Sequence, residues 1–216
     1  QNLQGYSAYE AGLIFLSMTV ALGLLAPLGG SLIDKVDSRY PVCVGFLLLA
    51  LSAAIMMTFH LNTPKVTIIA TLSLTGIGLG LCFSALNAKM MQVVDPCMLG
   101  SASGTFIMAA YAADSAGVVL SSTLFTGLGS AFFDKLLCQQ NIQLDPEKHQ
   151  ILLAFLANAH RDFHQLLVFP ASEIGFYVSL MNEALVKAME WIMLFVVILS
   201  TSMAALYLQA FQKRFE

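Results

Sequence analysis

Asp114 is the one charged residue between Gly100 and Phe133. If that run crosses a bilayer, its carboxylate lies in hydrocarbon, where a charge is costly unless it is protonated, paired or wet. Three roles fit such an acid. It can exchange a proton, since a buried carboxylic acid is easier to protonate near neutral pH. It can be the counter-charge for a cationic substrate. It can hold two helices together by a hydrogen bond. Around it at helical spacing stand Ser103, Ile107, Ala110, Gly117 and Ser121, a small or polar stripe suited to a cavity. Tyr111 and Ser115 are near enough in sequence to hydrogen-bond beside it. Asn87 is a weaker candidate for the same cavity, with an interhelical hydrogen bond as the plainer reading.

A second constellation is the string Gly30-Ser-Leu32-Ile-Asp34-Lys35-Val-Asp37-Ser-Arg39. Asp34 can close a helix and pair with a cation or with a helix N-terminus. Lys35 and Arg39 put cations beside phosphate headgroups. The plainer reading is the ordinary excess of Lys and Arg in cytoplasmic loops. Elsewhere the chemistry is thin. His160 and His164 share a helical face, with Asp162 and His149 nearby, but there is no His-Glu-x-x-His, and no metal site is expected. His160-Arg161-Asp162 is a chance echo of a kinase loop. Glu183 and Glu190 read as solvated charges flanking the last apolar run. The string holds no phosphate-binding loop and no nucleophile constellation, so neither an enzyme nor a cofactor is expected.

The elements that must position these residues are apolar runs. No charge lies between Glu10 and Asp34, Arg39 and Lys65, Lys65 and Lys89, or Glu190 and Lys213. Each gap holds the ~20 residues that cross a ~30 Å core. The expected spans are about 11–33, 40–59, 66–88 and 190–212, with a fifth near 101–126 ended by Gly127 and Gly129. Of the 216 residues, 58% are hydrophobic and 11% are Asp, Glu, Lys or Arg. A soluble domain carries roughly 25% charged residues. Mean hydropathy is +0.78. The net charge of −3 is too small to imply nucleic acid. Cys43, Cys82, Cys97 and Cys138 form no Cys-x-x-Cys pair and read as small packing residues.

Lys and Arg in the short loops set orientation. Lys35 and Arg39, Lys89, and Lys213 and Arg214 mark one side, expected to be cytoplasmic with the C-terminus. The opposite connectors carry only Lys65. Residues 134–189 then form a long extracytoplasmic loop. Within it Gln150 to Leu167 is amphipathic, with Pro170 as a stop and a new helical pattern from Phe176.

The Gly30–Arg39 string resembles the signature loop of the major facilitator superfamily, Gly-x-Leu-x-Asp-Arg/Lys-x-Gly-x-Arg/Lys. It departs at Asp37, where that loop has Gly. Leu3 to Leu13, the Gly76-Ile-Gly78-Leu-Gly80 run, and Asp95-Pro96 followed by Gly100-Ser-Ala-Ser103-Gly104 are similar to successive segments in the fourteen-helix drug/proton antiporter branch. The resemblance covers about residues 1–130 and, more loosely, 190–212. It implies an all-α, polytopic transmembrane bundle forming the C-terminal half of a transporter. Its first helix and the whole N-terminal half would precede Gln1. It also implies a latch function for the 30–39 loop, alternating access, and proton-driven efflux of amphipathic compounds across a bacterial inner membrane. Small-molecule substrate, protons, lipid bilayer and the other half are the implied partners. Asp114 is not part of the resemblance, because the family usually has a small residue there. The rival readings are a carrier for a polar metabolite or peptide, and a truncated membrane protein that does not transport.

Overall fold

The computed structural model describes residues 6–35, 39–60, 62–140, 142, 145–157 and 171–212. Among the described residues six helices follow one another: α1 Ala8–Lys35, α2 Arg39–Met56, α3 Lys65–Val93, α4 Leu99–Gln139, α5 Pro146–Ala157 and α6 Ala171–Gln212. A short 3-10 turn, Pro96–Met98, leads into α4. Among the described residues all regular structure is helical, as the apolar runs require. Four of the described helices are long and apolar enough to cross a membrane, and Tyr40–Met56 is a shorter apolar helix. At 1.5 Å per residue, the 18 residues of α2 reach about 27 Å.

Local chemistry starts and stops these helices. Ser7 and Glu10 form a capping box. The Ser7 hydroxyl accepts from the Glu10 N–H at 3.2 Å, and the Glu10 carboxylate accepts from the Ser7 N–H at 3.1 Å. Past Val93 the chain turns extended. Asp95 then caps the 3-10 turn by accepting from the Cys97 N–H at 3.1 Å, with Pro96 at the first position. Pro146 opens α5 in the same way.

Packing in one half of the bundle is close. α3 lies between α1 and α2, while α6 packs on α2 and on α4. Three glycines of α3 permit this. A Cβ at Gly76 would overlap the Met18 carbonyl oxygen of α1, and one at Gly80 would come within 3.0 Å of the Leu22 oxygen. Gly78 looks the other way, where a Cβ would be 2.9 Å from the Gly45 oxygen of α2. Without a hydrophobic force between helices in lipid, such close approach is what holds them. Cys43 and Cys82 are buried here. The Cys82 thiol faces the Val42 carbonyl at 3.3 Å and the Cys43 thiol faces the Ala204 carbonyl at 3.8 Å. Cys97 and Cys138 are exposed, so the packing role expected for all four cysteines applies to two.

The other half departs from expectation. α4 does not end at Gly127 and Gly129 but continues to Gln139. A glycine inside a helix costs only about 1 kcal/mol. Beyond these glycines Phe133, Leu136 and Leu137 pack against α5 and α6, which outweighs that cost. α6 likewise begins at Ala171, well before residue 190. The segment 134–189 is therefore largely helical where it is described: the end of α4, α5, and the first half of α6. Its core holds Phe133, Leu152 and Met181, each 0% exposed, which makes it the most completely buried cluster of large side chains. Leu152 belongs to it and Ile151 packs against it, as the amphipathic pattern predicts, and Leu153, outside that pattern, packs there too. His160, Asp162, His164 and Pro170 lie outside the described residues.

The 41 residues of α4 reach about 62 Å, roughly twice a bilayer core. α6 is as long. α4 meets α3 near its start, where the Phe83 and Phe106 rings meet at a tilt of 47° with centroids 5.4 Å apart, and meets α6 toward its other end. Between these points it stands apart from the bundle, and every residue from Tyr111 to Leu124 is exposed.

Candidate functional site

Asp114 lies in this open stretch of α4. Among the described residues no hydrogen bond or ion pair reaches its carboxylate. Ser115 does not serve it, because the Ser115 hydroxyl donates to the Tyr111 carbonyl at 2.9 Å. Tyr111 stands one turn away on a neighbouring face with its side chain 70% exposed. The cavity-facing stripe predicted around Asp114 is thus present as a helix face, but α1, α2 and α3 do not enclose it.

Asn87 is elsewhere. It lies one turn past Phe83 on α3, while Asp114 lies two turns past Phe106 in the opposite direction. Since Phe83 and Phe106 are in contact, the two candidates are separated by on the order of 18 Å along the bundle. They do not form one site. Asn87 instead belongs to the end of the bundle where α1 meets α2. There Gly29 closes on Leu81 and Ser84, so that a Cβ would be 3.2 Å from the Leu81 main chain. The Asn87 Oδ1 is buried and has no hydrogen-bond partner among the described residues. A buried unpaired acceptor costs about 1–3 kcal/mol. Asn87→Leu is accordingly expected to keep or raise the thermal unfolding midpoint in detergent. A clear drop would show that the amide is paired in the folded protein.

The Gly30–Arg39 string spans the tight connection from α1 to α2. Gly30 lies in α1 and is open, with nothing within 4 Å of an added Cβ. Leu32, Asp34 and Lys35 fall in the last turn of α1 and Arg39 opens α2. Their side chains, and the Asp37 position, lie outside the described residues.

Two features were missed in the sequence. At the opposite end of α1, Lys65 pairs with Glu10 at 2.9 Å and stands 4.6 Å from the Tyr6 ring centroid. This ties the start of α3 to the start of α1. The Ser7-x-x-Glu10 pattern could have located the cap, but the partner of Glu10 is distant in sequence. The second is an open cleft between α4 and α6, lined by Val118, Ser121 and Phe125 on one side and Met189, Ile192 and Met193 on the other. No local pattern marks it, because it arises where two helices diverge. His149, a weak metal candidate, instead pairs with Asp134 at 2.7 Å between α5 and α4. Among the described residues no group of three or more His, Cys, Asp and Glu side chains could hold a metal ion.

Membrane-length helices packed through glycine, with an acid on one of them, define the class as a polytopic membrane bundle. The family model of the Major Facilitator Superfamily matches residues 1–133. The chain belongs to that superfamily and is a multi-pass membrane protein. Over 104 residues it is 30% identical to the multidrug resistance protein Stp of Mycobacterium tuberculosis, covering 48% of this chain and 19% of that protein. Over 135 residues it is 31% identical to the uncharacterized MFS-type transporter YwoD of Bacillus subtilis, covering 62% of this chain and 30% of that one. The multidrug transporter protein MdtP of Bacillus subtilis is 24% identical over 133 residues, 61% of this chain and 21% of its own length. The chain thus spans less than a third of the length of these relatives. No solved structure matches.

Proposed function

We propose that this chain is part of a proton-coupled secondary transporter that exports amphipathic compounds by alternating access. The observation that carries the reading is Asp114, a lone carboxylate on a membrane-length helix with no partner among the described residues. Antiport through one carboxylate needs no further group. A cation that binds it displaces its proton, and a proton that binds it displaces the cation. Two relatives bear multidrug names, which supports the substrate class. Alternating access needs two halves that rock about a central site. The exposed faces of α1 and α4 are surfaces such a partner half would meet. In this reading Leu32, Asp34, Lys35 and Arg39 form a cytoplasmic latch, and the C-terminus is cytoplasmic in a bacterial inner membrane.

The test is flux in the intact transporter, reconstituted in liposomes holding a pH-sensitive dye. With a proton gradient imposed, adding an amphipathic cation is expected to move protons. If no cation in a broad panel does so, while a polar metabolite or peptide is carried, the drug-efflux reading fails.

A further inference from the structure

The large apolar side chains change sides along α4 and α6. Before Leu124 on α4, Met108, Tyr111, Val118, Val119 and Leu120 are more than half exposed. From Trp191 onward α6 shows the same outward pattern through Phe195, Ile198 and Leu199. Between Leu124 and Trp191, Phe176 is the one large apolar side chain exposed among the described residues. There the pattern is reversed. Phe133 and Leu137 of α4, Leu152 of α5, and Leu180 and Met181 of α6 are buried together. Asp134, Lys135, Glu147 and Glu183 lie exposed around them. Apolar residues facing outward suit a helix in lipid. Apolar residues facing inward, with charges outside, suit a helix in water. The change falls at Leu124 and at Trp191, and tryptophan is favoured where membrane meets water. The lengths agree. Leu99 to Leu124 reaches about 39 Å and Trp191 to Gln212 about 33 Å, each enough for a ~30 Å core. Phe125 to Gln139 then extends about 22 Å further, and Ala171 to Glu190 about 30 Å.

Water and lipid join helices differently. In lipid no hydrophobic force draws helices together, and α4 is exposed from Tyr111 to Leu124. In water the burial of apolar surface drives association. The firm joint between α4 and α6 is therefore the one outside the bilayer. Phe125 belongs to both regions. It packs against the buried cluster and also lines the cleft between the two helices, so the cluster closes one end of that cleft. α5 completes the joint: Leu152 is 0% exposed within it, and His149 pairs with Asp134 of α4 at 2.7 Å. We propose that the outer parts of α4 and α6, with α5, form a water-facing clamp. The clamp sets the spacing of the two helices and makes them move through the membrane as one lever. It stands whatever the transporter carries.

The experiment uses the intact transporter. Cys97 and Cys138 are exposed at opposite ends of α4, while Cys43 and Cys82 are buried. In sealed vesicles a membrane-impermeant maleimide should label Cys138 and Cys97 from opposite faces. Labelling of Cys138 only after detergent is added would overturn its placement in water. Leu137→Ala on α4 and Leu180→Ala on α6 then test the joint by hydrogen exchange in nanodiscs. Each removes a side chain from the shared core, so each should speed exchange at least about tenfold in the outer parts of both helices. Exchange in α1, α2 and α3 should keep its wild-type rate. Val119→Ala, in the open stretch, should change neither region. Spin labels at positions 120 and 195, with Cys97 and Cys138 replaced by serine, read the spacing inside the membrane. Their distance distribution should broaden in either core variant. Loosening confined to the mutated helix, or a distribution as narrow as the wild type's, overturns the clamp. Either core variant gives this reciprocal reading if the other does not fold, and the labelling of Cys138 needs no variant.

Discussion

Replacing Gly76 by Val is expected to separate α1 from α3 and to be among the most damaging single changes in the chain. The reason is what the new atoms would meet. A Cβ at Gly76 would overlap the Met18 carbonyl oxygen and lie 3.1 Å from the Ala21 Cβ. Main chain cannot rotate away as a flexible side chain can. Gly80, one turn on, keeps α3 equally close to the Leu22 oxygen, and Gly78 fixes the opposite face against Gly45 and Leu49. Moving α3 off α1 therefore drives it into α2. Overpacking typically costs about 1–3 kcal/mol, and a clash with main chain on a helix confined from two sides belongs at or above the top of that range. Gly104→Val is the matched control, since nothing lies within 4 Å of its added Cβ. It should fall within about 0.5 kcal/mol of the wild type. Thermal unfolding in detergent, with expression yield alongside, reads both. Equal tolerance of the two variants would mean that α1 and α3 do not pack as described.

This contrast shows what the sequence could and could not reveal. Gly23, Gly30, Gly76, Gly78, Gly80, Gly104 and Gly117 look alike as small residues in apolar runs. Type alone predicts close helix packing for all of them, yet of these only the ones on α3 are closed upon, together with Gly29 and Gly45 on the helices that flank it. Gly23, Gly30, Gly104 and Gly117 face open space. Hydropathy located the membrane-length runs because burial in lipid needs only apolar length. It misjudged the α4 end because glycine weakens a helix locally, while Phe133 and its neighbours in α5 and α6 stabilise it through distant contacts. The same cause turned an expected loop into the helical segment that ends α4 and starts α6. Asp114 was legible because a lone acid in an apolar run is costly wherever it points. Its separation from Asn87 and its nearness to the α4/α6 cleft were not, since both depend on how far α4 leans from α3.

Asp114→Asn is expected to reduce substrate-driven proton flux at least about tenfold, a loss that 1.4 kcal/mol of coupling would produce. Asparagine keeps the size and most of the hydrogen-bonding of the acid but cannot gain or lose a proton in the working pH range. Within the apolar runs of α1 to α4 and α6, no other residue carries a charge. If proton and cation compete for Asp114, wild-type cation binding should weaken as pH falls, because protonation removes the counter-charge. In Asp114→Asn the affinity should be low and flat with pH. Asp114→Glu should restore part of both flux and pH dependence. A purely structural aspartate predicts a different pattern: a lower unfolding midpoint in Asp114→Asn, with flux per folded molecule and its pH dependence preserved. Flux and pH profiles measured on the same proteoliposomes, with folding checked by size-exclusion profile, separate the two. Unchanged flux in a folded Asp114→Asn variant would return the residue to helix packing and place proton exchange outside this chain's spans.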